Sequence, residues 1–124
     1  MKEEIIMNYE KTNKKKTTMK KKIPQKFKVG GQSIEVRQVE RSMDNSLGIC
    51  NLAGGYVEIA TMFNKDEVQC DESKVNTFYH ELVHCILKTM GEMELNANEK
   101  FVCCFSSFLT EAMQDAYFEV NAEF

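Results

Sequence analysis

The residues able to do chemistry are concentrated in one short run, His80-Glu81-Leu82-Val83-His84, which has the pattern H-E-x-x-H. On a helix, residues i and i+4 share a face one turn apart. Two imidazoles placed this way reach one metal ion. Glu81 lies between them, turned partly off the metal axis, and contacts a metal-bound water rather than the metal. An ion such as Zn²⁺ lowers the pKa of that water toward about 7. Glu81 then takes the water's proton as general base and later delivers it to a leaving amine. Both of the chain's two histidines belong to this run. The bland alternative is a pair of surface histidines on an amphipathic helix.

A catalytic zinc site takes a third protein ligand. It cannot be histidine, because none remains. The extended pattern H-E-x-x-H-x-x-G-x-x-H is excluded, since Leu87 and Met90 occupy its glycine and last histidine positions. A carboxylate is the next choice. Glu99 lies fifteen positions beyond His84, and an antiparallel second helix brings it back beside His80 and His84. The alternative is a capping box over Asn96-Ala97-Asn98-Glu99, in which Glu99 returns to the Asn96 backbone N–H. The spacing allows both. Glu92 and Glu94, in the link between helices, are weaker candidates. Cys103 is a further candidate as a soft thiolate, weighed against a buried free cysteine packed between helices.

The elements that must position these residues follow from periodicity. Phe27–Val29 and Ser33–Val39 alternate apolar and polar residues around Gly30-Gly31, which predicts a hairpin. Leu47–Cys50 and Tyr56–Ala60 flank Gly54-Gly55, which predicts a second one. Together they predict a small antiparallel sheet of three to four strands. From Asp71 the period becomes helical. Val75, Phe78, Leu82, Cys85, Ile86 and Met90 share a face. Asp71 or Ser73 caps this helix over about residues 72–90, and Gly91 ends it. A short acidic link follows. Asn96 then caps a second helix reaching about residue 117. A sheet followed by two long helices is an α+β arrangement.

Composition divides the chain. It has 124 residues and a net charge of −3. Residues 1–28 hold ten lysines against three glutamates, whereas residues 29–124 hold six basic residues against sixteen acidic ones. The lysine-rich stretch has little to bury, so residues 1–22 are expected to be a disordered arm and residues 23–124 the folded domain. The arm is either a solubilising leader or a contact for nucleic acid. Residues 1–20 lack the apolar run of about 7–15 residues found in a signal peptide. No stretch approaches the roughly 18 apolar residues of a membrane span. The five cysteines show no repeated spacing. They are expected to be free thiols in a reducing cytoplasm, with no membrane association.

Phe78-Tyr79-His80-Glu81-Leu82-Val83-His84, followed by Glu99-x-x-Val102-Cys103-x-Phe105-Ser106-x-Phe108-Leu109, resembles the small zinc metallopeptidases of the ImmA/IrrE type and related phage-encoded zincins. Those carry H-E-L-x-H and then E-x-x-A-N-x-F-A-x-x-L-L on the next helix. Here Val102-Cys103 stands in place of Ala-Asn. The resemblance covers roughly residues 24–117. It implies a minimal zincin-like fold, one Zn²⁺ ion, Glu99 as third ligand, and a protein or peptide substrate lying along an edge strand at 57–61. Main-chain pairing there makes binding sequence-tolerant. The oxyanion then needs one donor besides the metal. Tyr79 and Tyr56 are the nearest phenols in sequence, unless each is a packing residue. Two other readings remain: a zincin-fold binding module with little turnover, and a nucleic-acid-associated protein using the arm. SprT-like zincins act near DNA, but their third ligand is histidine.

Overall fold

Gly30 and Gly31 both take positive φ, 57° and 81°. A two-residue hairpin turn requires this, and glycine supplies it without steric cost. They turn β1 (Lys26–Val29) onto β2 (Gln32–Val39) as an antiparallel pair. The computed structural model describes residues 23–116, so the arm expected at 1–22 lies outside the described residues. β3 (Gly48–Asn51) and β4 (Tyr56–Ala60) form the second antiparallel hairpin.

Both hairpins occur, but they join differently from the all-antiparallel expectation. The strand order is β1-β2-β4-β3, and β4 runs parallel to β2. The 57–61 stretch is therefore not an edge. β4 is hydrogen-bonded on both sides, and β3 is the edge strand on that flank. The reason lies in burial. Val57, Ile59 and Ala60 are completely buried, and a strand covered on both faces belongs in the sheet interior. Val57 and Ile59 face the helices. The opposite face is closed by the loop after β2. There the Met43 N–H donates to Glu58 Oε1 at 3.0 Å, and Arg41 donates to the Met62 and Phe63 carbonyls.

α1 (Asp71–Met90) begins at Cys70, which makes no side-chain cap bond. Neither Asp71 nor Ser73 caps it. Ser73 Oγ instead donates to Gln69 Oε1 at 2.6 Å, and Thr77 Oγ1 donates to the same oxygen at 3.2 Å. Gln69 Nε2 in turn donates to the Ala60 carbonyl at 2.6 Å. One buried glutamine thus ties the end of β4 to the start of α1. Gly91, at φ 77°, ends the helix as expected.

The link after Gly91 contains a short helix, α2 (Met93–Ala97), before α3 (Glu99–Asp115). Asn98 caps α3, accepting from the Phe101 N–H at 3.0 Å. The expected cap was Asn96, two residues earlier. Losing this cap costs about 1 kcal/mol. Asn98→Ala is therefore expected to lower the urea midpoint with an unchanged slope. An unchanged midpoint would remove the cap from the stability account.

α1 lies between two apolar clusters. Ile34, Val57, Ile59, Phe78 and Cys85 fill the space against the sheet, and Val83, Leu87 and Val102 fill the space against α3. The fold is α+β with a mixed four-stranded sheet. A disulfide joins Cys50 of β3 to Cys85 of α1, with Cα atoms 6.3 Å apart. This corrects the expectation of five free thiols. The packing of β3 on α1 brings together two cysteines 35 positions apart. Cys70, Cys103 and Cys104 are free and exposed. No helix among the described residues is long and apolar enough to cross a membrane.

Candidate metal centre

The sheet and α3 grip α1 from two sides and leave the His80 and His84 face turned toward the start of α3. The two imidazole centroids are 4.9 Å apart. Because Asn98 supplies the cap, Glu99 is the first residue of α3 and is not drawn back into a capping box. Its carboxylate spans both rings. Oε2 is 3.6 Å from His80 Nε2, and Oε1 is 3.4 Å from His84 Nε2.

Asn96 has a different task from the one its sequence position suggests. Its Oδ1 lies 2.7 Å from His84 Nδ1. An amide oxygen only accepts, so Nδ1 carries a hydrogen and the ring is oriented with Nε2 toward Glu99. His80 is held below the usual histidine range, first by burial and then by the charge of His84, against the opposing pull of Glu99. Two arrangements satisfy these contacts: a proton on the imidazole, giving an ion pair, or a metal ion held between the donors. Two nitrogen or oxygen ligands on one tetrahedral zinc are about 3.2–3.6 Å apart. Each Glu99 contact matches that spacing, while the three residues whose donor atoms all lie within 4.8 Å of one another are His80, Glu99 and Cys103.

Glu81 is 7% exposed, and no described residue makes a hydrogen bond or ion pair with its carboxylate. Burial, then the charge of Glu99, pushes its pKa up to about 7; Lys88 opposes this and Asp44 adds to it. Gly48 on β3 is the neighbour that makes room. A Cβ there would sit 3.1 Å from Glu81 Cγ and 2.6 Å from Thr77 Cγ2. The edge strand approaches the helix at Glu81 only because Gly48 has no side chain. The signal available in sequence was an isolated glycine opening a strand. Asn96 gave no such signal, because its position also suited a helix cap.

The two phenols lie elsewhere. Tyr56 precedes Val57, whose side chain faces α1, so by strand alternation Tyr56 faces the opposite side of the sheet. There its hydroxyl accepts from Asn51 Nδ2 at 3.1 Å, and Arg37 stacks 4.1 Å over its ring. Tyr79 packs into the sheet-side cluster, edge-on to Phe78 at 5.0 Å, and burial raises its pKa. Neither joins the imidazoles. Glu92 and Glu94 are exposed on the link.

The Asn96 contact makes a testable demand. Outer-shell partners of a ligating histidine are worth about 10–100-fold in metal affinity. Asn96→Ala is expected to weaken zinc binding by that factor in competition with a chromophoric chelator. Unchanged affinity would show that Asn96 does not orient His84. Compared with protein-family models, curated proteins and solved structures, the chain matches none.

Proposed function

We propose that this chain is a zinc-dependent metallopeptidase with a minimal zincin-like fold, similar to the ImmA/IrrE type, that hydrolyses peptide bonds of a protein substrate. The observation carrying this reading is the convergence of His80 and His84 on the Glu99 carboxylate, with Glu81 between the two histidines in the same helix. When bound, a zinc ion polarises the scissile carbonyl and makes water a nucleophile near neutral pH. The chain's own residues do the rest. Asn96 accepts from His84 Nδ1 and orients the ring with Nε2 toward Glu99. Glu81 accepts a proton from water and returns one to the leaving amine nitrogen. The substrate adds as a further strand to β3 rather than to β4, because β4 has no free edge. Gly48 lets that edge approach Glu81.

The placement of Tyr56 and Tyr79 favours a second reading, a zincin-fold binding module with little turnover, since neither phenol stands where an oxyanion forms. The direct test is to incubate the full chain, carrying one equivalent of zinc, with an unfolded protein and search for new peptide termini by mass spectrometry. Zinc-dependent cleavage supports the peptidase. A zinc-loaded chain that generates no new termini leaves the binding module.

A further inference from the structure

α3 buries one face against α1 and carries a second apolar stripe beside it. Val102 and Ser106 are the buried residues of the first face. Phe101, Phe105, Phe108 and Ala112 follow one another at intervals of four, three and four residues. That is the spacing of a coiled-coil seam, which lays one line of a helix against another helix. The stripe starts in the core, where Phe101 packs against the Val83, Leu87 and Val102 cluster and stacks on Phe105 with ring centroids 5.6 Å apart. It then runs out into solvent: Phe105 is 51% exposed and Phe108 72%. Among the described elements α3 packs only on α1 and α2. Phe101 follows Glu99 by two residues, a little over half a turn, so the stripe and the imidazole-facing side of α3 point apart.

The charges beside the stripe select the helix that fits it. Lys100 and Glu111 are both exposed and lie eleven residues apart, about three turns, so they share one line along its flank. An identical helix running antiparallel sets Phe105 against Phe108 of the second copy and Phe101 against its Ala112. The same register sets Lys100 opposite Glu111 of the second copy, and two-fold symmetry makes that pair twice. In a parallel pair the charged lines fall on opposite sides of the seam and do not meet. We propose that this face of α3 docks a second copy of the chain as an antiparallel, two-fold symmetric helix pair. The pairing covers Phe105 and Phe108 of both copies. Each copy contributes one 17-residue helix, which is small against the roughly 1,200–2,000 Å² of a standard interface. The association is therefore weak and reversible. It is independent of the metal site, because Glu99 stays on the open side of α3.

Sedimentation equilibrium of the full chain over a range of concentrations tests this. A monomer–dimer equilibrium that shifts with concentration is expected. Phe108→Ser is expected to weaken it at least about thirtyfold, the effect of removing an aromatic anchor from an interface. Its circular dichroism stays parental, because Phe108 is exposed in the single chain. Lys100→Glu and Glu111→Lys each weaken the dimer by placing like charges opposite each other, and the double variant regains the parental affinity. A chain that stays monomeric at every concentration overturns the proposal. So does a dimer indifferent to Phe108→Ser, or a double variant no tighter than the single ones. A chain that dimerises only once residues 117–124 are removed assigns the stripe to that segment and overturns the proposal as well.

Discussion

Glu81→Gln is expected to keep one equivalent of zinc and to lower peptide hydrolysis by about 10²–10⁴-fold, the range that a positioned general base contributes. Glutamine preserves the volume beside Gly48, so the packing of β3 on α1 survives. It also lies outside the ligand set of His80, His84 and Glu99. The change therefore removes only the group that accepts and returns a proton. Hydrolysis at the parental rate would exclude Glu81 as base and would place the chain among binding modules.

The same variant has a pH signature in the metal-free protein. Folding raises the Glu81 pKa from 4.5 to about 7, so the folded chain holds a proton that the unfolded chain has lost. Stability attributable to this group is complete below about 4.5 and declines as pH rises toward 7. Above that, burial of the charged carboxylate costs up to about 3 kcal/mol. Metal-free Glu81→Gln is thus expected to match the parent near pH 4 and to exceed it in stability at pH 8. Urea titrations at the two pH values check this. A gap of equal size at both pH values would assign it to packing rather than to the proton.

Glu99→Ala is expected to weaken zinc binding by more than about a hundredfold, beyond the range for outer-shell partners, and to abolish hydrolysis with it. Glu99 contributes one oxygen toward each imidazole. Its removal leaves only the two imidazoles to hold the ion and takes away the carboxylate that faces both of them. Glu94→Ala, on the exposed link, is expected to leave affinity unchanged. Full zinc retention in Glu99→Ala would reduce Glu99 to a favourable acid in the first turn of α3.

The sequence by itself determined those features that repeat at short range. The i, i+4 spacing of His80 and His84, the glycine turn between β1 and β2, the period of α1 and its stop at Gly91 are all local. Backbone geometry decides them within a few residues. The scarcity of histidine pointed to a carboxylate, but spacing left Glu99 equally suited to capping. Only the tertiary structure removed the capping box, because it set Asn98 at the cap and turned Asn96 toward His84. It also decided which hairpin strand enters the sheet interior. β3 and β4 are each short and apolar, and only covering by the loop after β2 makes β4 the strand that must be buried on both faces. The pairing of Cys50 with Cys85 and the approach of Gly48 to Glu81 belong to the same group. They are contacts across the sheet–helix interface, and no local pattern encodes which residues meet there.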